Sequence, residues 1–302
     1  REGIPAGGGA KFALGFKKFL NEKGHQVEFE SDVNKPPDLY FIFDPRFLNY
    51  SRNWLTIDHV RYLQEVLKSE VPIIHRLNDI GPPKDRPPSY VIQMKEMANR
   101  ASAAVYISDY VKEYYEDGVG TPSSVIHNGV DGDLFTFRDY EFDKITLVSH
   151  HWSNNHLKGW DIYKQIDDWL DDREDIEFMF IGNVAKGINI KNIKVYPPTH
   201  GEDMVSLLKK ANIYVTASKH EPCGMHHIEG IACGLPILYH TDGGGLVQAA
   251  SQYGLGFSDF SQFKEKLNEM CSRHMEFYDK IVSEFDYYQD KVYEKYYELI
   301  KE

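Results

Sequence analysis

Residues 213–239 read IYVTASKHEPCGMHHIEGIACGLPILY, in which two short apolar runs enclose a loop and a helix-like segment. The runs Ile213–Thr216 and Pro236–Tyr239 have the length and the β-branched and aromatic side chains of buried strands. Gly234 stands where a glycine commonly ends a helix, just before the second run. A strand, a helix and another strand in this order predict a parallel βαβ unit.

The same alternation extends over most of the chain. Helix-like spacing covers residues 11–22, 57–68 and 89–99, which lie between short apolar runs. We predict seven further strands: Leu39–Phe43, Pro72–His75, Ala103–Ile107, Ser124–Ile126, Ile145–Val148, Glu177–Ile181 and Ile193–Tyr196. Because 302 residues exceed one ordinary core, the pattern favours two α/β domains, each with a parallel sheet covered by helices on both faces.

A turn-rich break marks the expected domain border. Asn128–Asp133 is rich in turn residues, and the polar stretch Arg138–Lys144 leads into a new strand. We therefore assign residues 1–137 to an N-terminal domain, 138–282 to a C-terminal domain and 283–302 to a final helix that crosses back to the N-terminal domain. The opening residues read as the loop after a first strand, so we expect either that this strand is missing from the chain or that the domain forms without it.

Composition excludes several classes of function. The formal net charge is −12, so we expect no nucleic-acid partner. No apolar run is long enough for a transmembrane segment, and no cleavable signal is visible. The three cysteines lack the spacing of a disulfide framework or a zinc ribbon. Reduced thiols of this kind predict a cytoplasmic protein.

The segment Glu221–Pro236 carries the strongest chemical signal. Two carboxylates, Glu221 before the helix and Glu229 within it, can hold two hydroxyl-bearing parts of one ligand. Gly224 allows a sharp turn, and a helix that begins near Met225 would present free backbone N–H groups to an anion. The alternative is a surface loop and helix with two solvated glutamates.

Three other segments also carry residues that are suited to a phosphate or sugar ligand. In Ser149–Trp160, Lys158 offers a compact positive charge to a diphosphate, although a solvated loop lysine is the alternative. Gly7-Gly8-Gly9 reads as a glycine-rich loop before an amphipathic helix, typical of phosphate or sugar sites. His75 stands at the carboxyl end of a predicted strand, where ligands bind in open α/β sheets, although a buried structural histidine is equally compatible.

Taken together, these motifs resemble the retaining glycosyltransferases of the GT-B fold, in particular glycosyltransferase family 4 (group 1). The resemblance rests on Glu221-x7-Glu229 followed by Ala232-x-Gly234-x-Pro236, on Lys158-Gly159 and on the glycine segment near residue 8. It implies two Rossmann-like domains that face each other across a cleft. The chain departs from the family where His150 replaces an arginine and Gln248 replaces a glutamate.

The resemblance also implies roles for residues. The expected catalytic residues are Glu221 at the sugar, His75 near the reacting sugar and Lys158 at the diphosphate. The expected donor-binding residues are Gly8, Gly9, His150, Lys158, Gly159, Cys223, Gly224, Met225, His226 and Glu229. Glu229 is expected on the ribose hydroxyls.

The implied reaction moves a sugar from a nucleoside-diphosphate sugar, with UDP favoured over GDP, to a glycan, glycoprotein or lipid acceptor. We expect no cofactor and no required metal, because the paired histidines 150/151 and 226/227 lack zinc-site spacing. Two alternatives stay open: a nucleotide-sugar epimerase of the same fold, and a non-catalytic nucleotide-sugar-binding subunit. The sequence names neither the sugar nor the acceptor.

Overall fold

The computed structural model describes residues 8–29, 35–45, 55–139 and 144–301. The chain divides into an N-terminal unit, formed by residues 8–127 together with 290–301, and a C-terminal unit formed by residues 128–289. The division falls at 127/128 and not at the predicted 137/138. Residues 1–7 and 140–143, which include part of the expected first loop and part of the expected border, lie outside the described residues.

The earlier border has a physical reason. Val130 and Phe135 are buried in the core of the C-terminal unit, where they pack with Val148 and Ile281. Val130 also forms a parallel bridge with Tyr288. The segment after Asn128 therefore already belongs to the second core.

The N-terminal unit contains a four-stranded parallel sheet. Its strands are β1 (Tyr40–Ile42), β2 (Ile73–Leu77), β3 (Ala103–Tyr106) and β4 (Ser123–Val125), hydrogen-bonded in that order. Its helices are α1 (Gly8–Glu22), α2 (Ile57–Arg61), α3 (Pro88–Arg100) and α4 (Asp109–Tyr115). A π-helical turn, Tyr62–Val66, continues α2.

The C-terminal unit contains a six-stranded parallel sheet. Its strands are β5 (Ile145–His151), β6 (Ile176–Gly182), β7 (Lys194–Tyr196), β8 (Ile213–Thr216), β9 (Ile237–His240) and β10 (Gly254–Phe257). Its helices are α5 (Trp160–Trp169), α6 (Gly201–Leu208), α7 (His226–Ala232), α8 (Val247–Ala250) and α9 (Phe260–Glu284). The strand order is β10-β9-β8-β5-β6-β7, which is the order of the doubly wound dinucleotide-binding sheet.

Helix α10 (Gln289–Lys301) ends the described chain and packs in the N-terminal unit. Tyr293 and Tyr296 lie in the same buried cluster as Phe12 and Phe16 of α1. The Arg76 guanidinium completes this cluster, because its Nε donates to the Tyr296 hydroxyl at 3.0 Å. Helix α10 is therefore part of the core of the N-terminal unit.

Asp167 holds the chain that enters β7. This side chain is fully buried on α5, and its carboxylate accepts hydrogen bonds from the backbone N–H groups of Lys191, Asn192 and Ile193 at 2.7–3.1 Å. A buried carboxylate is stable only with such partners. Asp167 therefore fixes the edge of the sheet to the helix that follows β5.

Candidate active site

The predicted donor residues of the C-terminal unit meet at one edge of its sheet. The neighbours β5 and β8 are the strands at which the strand order reverses. Connections leave from their carboxyl ends toward opposite faces of the sheet, and ligands of such folds bind in the resulting crevice. His150 and Lys158 follow or end β5, whereas Glu221 and Glu229 follow β8.

Lys158 and Glu221 form an ion pair across this crevice. Lys158 Nζ lies 2.6 Å from Glu221 Oε2, and their side chains are only 9% and 14% exposed. Lys158 ends the short 3-10 turn His156–Lys158. The backbone of Glu221 is bonded on both sides to the glycine loop after β9, since Glu221 N donates to Gly243 O and Gly245 N donates to Glu221 O. Both ends of the pair are thereby held in place.

Two glycines shape the backbone around this pair. Gly159 has φ +73°, in the left-handed region, and a Cβ at this position would overlap the carbonyl of Ala217 at the end of β8. Only glycine therefore brings the Lys158 turn this close to the β8 loop. Gly224 lies between two side chains of the site, because a Cβ built on it would be 2.7 Å from the His226 ring and 3.0 Å from Glu221 Cγ.

A second pair lies beside the first. His150 Nε2 is 2.7 Å from Glu229 Oε2, and both side chains are nearly buried. The Tyr214 hydroxyl lies 3.1 Å from His150 Nδ1 on the other side of the ring. The residue that replaces the family arginine is thus engaged by a carboxylate that was predicted to bind the ribose. The sequence did not reveal this contact.

Two further histidines of the site are neutral at ordinary pH. Burial lowers the pKa of His226 well below its usual value, and the charge of Lys158 adds to this effect. Burial likewise lowers the pKa of His151 to about 3. His226 Nε2 lies 3.1 Å from the Thr216 hydroxyl. These rings provide neutral hydrogen-bonding groups and add no positive charge for a diphosphate.

The remaining predicted residues of this segment have structural contacts. Asn128 Nδ2 donates to the carbonyl of Cys223 at 2.6 Å, which ties the loop after β8 to the start of the unit. Met225 immediately precedes α7 and packs against the core. Helix α7 begins at His226, close to the predicted start.

Three predicted residues lie in the N-terminal unit, and two of the expectations about their structure were wrong. Gly8 and Gly9 do not form a loop before a helix, because they are the first residues of α1. His75 is not at the carboxyl end of its strand, because β2 continues to Leu77. His75 is fully buried, and burial lowers its pKa to about 3. Its imidazole is therefore neutral and enclosed in the sheet, and neither ring nitrogen has a hydrogen-bond partner among the described residues.

Two features are absent from the part of the chain that the structure describes. Within residues 8–29, 35–45, 55–139 and 144–301, no group of three or more His, Cys, Asp and Glu side chains is arranged to hold a metal ion. Over the same ranges, none of the helices combines the length and the apolar character that crossing a membrane requires.

Comparison with known proteins shows what part of the C-terminal unit is similar to. Residues 162–280 match the family model of glycosyl transferases group 1. An uncharacterized glycosyltransferase of Methanocaldococcus jannaschii is 24% identical over 162 residues, which cover 50% of this chain and 43% of the relative. The match thus spans less than half of that relative's length.

Solved structures show the fold. Sucrose-phosphate synthase from Thermosynechococcus elongatus has a TM-score of 0.68 at 13% identity, over 97% of this chain and 77% of its own. Anabaena HepE in complex with UDP has a TM-score of 0.68 at 14% identity, over 87% of this chain and 78% of its own. The predicted fold class, two Rossmann-like domains of the GT-B type, is confirmed. The domain match and the fold together support a glycosyltransferase enzyme.

Proposed function

We propose that this protein is a retaining glycosyltransferase that moves a sugar from a nucleoside-diphosphate sugar to an acceptor hydroxyl without a required metal. The observation that carries the proposal is the ion pair of Lys158 and Glu221 at the switch point of the C-terminal sheet, with Glu229 in the neighbouring pair. A cation for the diphosphate and two carboxylates for sugar and ribose hydroxyls are thus gathered where this fold binds ligands.

The ion pair suggests how the donor enters. Lys158 and Glu221 pair with each other, so neither nearly buried charge is left without a partner. A bound diphosphate offers Lys158 a new anionic partner. Glu221 is then released to accept hydrogen bonds from the hydroxyls of the transferred sugar. Donor binding therefore replaces the contact between Lys158 and Glu221 by two others, one from Lys158 to the diphosphate and one from Glu221 to the sugar hydroxyls.

Lys158 then acts on the leaving group. The bond between the anomeric carbon and the diphosphate breaks, and negative charge accumulates on the phosphate oxygens. A cation fixed next to this position stabilises that charge in the transition state. The sugar becomes oxocarbenium-like, as in other glycosyl transfers. Retention by front-face attack, with the leaving phosphate accepting the acceptor proton, is the expectation from the family resemblance.

UDP is the favoured nucleotide, and GDP is the main competitor. HepE, which shares the fold, was solved with UDP, and a fold neighbour from Burkholderia xenovorans is described as a UDP-forming trehalose-phosphate synthase. The acceptor class proposed for this chain is a glycan, a glycoprotein or a lipid.

The test is a turnover assay with radiolabelled UDP- and GDP-sugars, with and without a panel of acceptors. A transferase gives labelled acceptor and free nucleoside diphosphate, and NMR of the product shows whether the anomeric configuration is retained. An epimerase changes the sugar without an acceptor. A binding subunit binds the donor, as measured by calorimetry, and converts nothing. Either of the last two results would refute the proposal.

Lys158→Met is the variant for this assay, because methionine keeps the unbranched apolar part of the side chain but removes the charged ammonium group. We expect it to reduce turnover by at least tenfold. Lys144→Met is the matched control, because Lys144 forms an exposed ion pair with Glu177 in the same unit. The control should behave like the wild type.

A further inference from the structure

His150 has bonding partners on both sides of its ring. Nε2 lies 2.7 Å from Glu229 Oε2, and Nδ1 lies 3.1 Å from the Tyr214 hydroxyl. All three residues are nearly or fully buried. The arrangement links β5, β8 and α7.

The hydrogen bond to Glu229 requires a proton on one ring nitrogen of His150. An ionised carboxylate only accepts hydrogen bonds, so Nε2 must carry a proton to bond with Glu229. On the other side of the ring, the Tyr214 hydroxyl lies 3.1 Å from Nδ1 and 3.2 Å from both the backbone N and the backbone O of His150. Tyr214 is itself fixed by packing, since its ring lies against Gly230 of α7. Tyr214 therefore holds the His150 ring from the side opposite Glu229.

The geometry points to His150 as a positioning residue for Glu229. We propose that it orients the Glu229 carboxylate for the ribose hydroxyls and does not bind the diphosphate as the family arginine would. The inference rests on the proposed function, because it concerns the nucleotide of the same site. It changes the expected specificity: His150 should govern recognition of the ribose, whereas Lys158 governs recognition of the phosphates.

The two roles predict different patterns of nucleotide affinity. If His150 positions Glu229, the affinity lost in His150→Ala should depend on whether the nucleotide has its ribose hydroxyls. If His150 binds phosphate, the affinity lost should depend on the number of phosphates. Calorimetry with UDP, 2′-deoxy-UDP and UMP, and in parallel with GDP, 2′-deoxy-GDP and GMP, separates the two.

We expect the wild type to prefer UDP over 2′-deoxy-UDP by about tenfold or more, as for loss of a hydrogen bond to a charged group. This preference should fall to about twofold or less in His150→Ala. The preference of UDP over UMP should stay within a factor of about two of the wild type. In a Glu229→Ala background, His150→Ala should cause no further loss of ribose preference, because coupled residues are not additive.

Two other variants test whether His150→Ala acts only by disturbing the structure of the unit. His150→Gln can present an amide N–H near the position of Nε2 and should restore most of the ribose preference. His274→Ala is the matched control, because His274 is also buried in this unit and its Nε2 lies 2.7 Å from the carbonyl of Asn212. His274→Ala should lower the melting temperature and leave the ribose preference unchanged.

The outcomes distinguish the inference from the proposed function. If the wild type binds neither UDP nor GDP, the proposed function itself fails. If it binds one of them but His150→Ala loses the preference for UDP over UMP and keeps the ribose preference, His150 is a phosphate ligand. A loss of ribose preference in His150→Ala that His150→Gln reverses supports the positioning role.

Discussion

Replacement of Glu221 by glutamine should tighten nucleotide binding while it reduces transfer. The change removes one negative charge 2.6 Å from Lys158 Nζ and keeps the shape of the side chain. In the wild type, a diphosphate must displace the Glu221 carboxylate from Lys158. In Glu221→Gln that competition is weaker, and the repulsion between carboxylate and phosphate is absent.

The expected gain in the binding free energy of UDP follows from the ion pair of Lys158 and Glu221. A hydrogen bond to a charged group contributes about 1.5–3 kcal/mol, and side chains that are 9% and 14% exposed are little screened by solvent. Glutamine can still accept a weaker hydrogen bond from Lys158, so only part of this energy is recovered. We expect a gain of about 1 kcal/mol, which is roughly fivefold in the Kd of UDP. Turnover should fall, because the sugar hydroxyls lose a charged partner.

Calorimetry of the free nucleotide and the radiolabel assay measure the two effects separately. Glu177→Gln is the control, because its carboxylate is 61% exposed in an ion pair with Lys144, and it should change neither quantity. A melting temperature for each variant shows that the protein is folded. If folded Glu221→Gln binds UDP as tightly as the wild type or more weakly, the exchange of partners at Lys158 is wrong.

The other predictions concern three residues and the metal. Glu229→Ala should weaken binding of UDP and GDP by about 1.5–3 kcal/mol in calorimetry, because the ribose hydroxyls are bound before and during transfer; unchanged affinity removes Glu229 from the site. Activity should persist in excess EDTA, and a loss that added metal reverses would point to a metal-dependent enzyme. His75→Leu should keep its activity. Because burial lowers the pKa of His75 to about 3, the unfolded state takes up the proton first as pH falls below about 6.5. The wild type should therefore lose about 1.4 kcal/mol per pH unit more than the leucine variant between pH 6.5 and 3, as measured by urea unfolding; equal losses would contradict this. Asp167→Ala should lower stability by about 3 kcal/mol and the melting temperature by about 6–12 °C, and an unchanged melting temperature would show that the loop before β7 does not depend on it.

Most strands could be predicted because they are short apolar runs at regular intervals. The strand that was missed, β10, reads Gly-Leu-Gly-Phe at Gly254–Phe257. Its glycines lower β-propensity, and the reason for them lies in another part of the chain. A Cβ on Gly254 would overlap the backbone of Ile237 in β9. Such a close approach between strands leaves no signal in a single sequence beyond the glycine itself.

The site could be predicted as a set of residues but not as pairs. Spacing and strand ends indicated Lys158, Glu221 and Glu229. The contacts Lys158–Glu221 and His150–Glu229 join residues 63 and 79 positions apart. They depend on β5 and β8 being neighbours, which the order of strands along the chain does not specify. His75 was expected at the end of its strand, but β2 continues two residues beyond it, to Leu77.

The contribution of α10 to the N-terminal core has a consequence for biosynthesis. Phe12 and Phe16 find their aromatic partners Tyr293 and Tyr296 only after the whole C-terminal unit has been made. The C-terminal unit, residues 128–289, is by contrast continuous in sequence. The usual order, in which the N-terminal domain folds first during synthesis, should therefore be reversed. Residues 8–127 would wait, with apolar surface exposed, for α10.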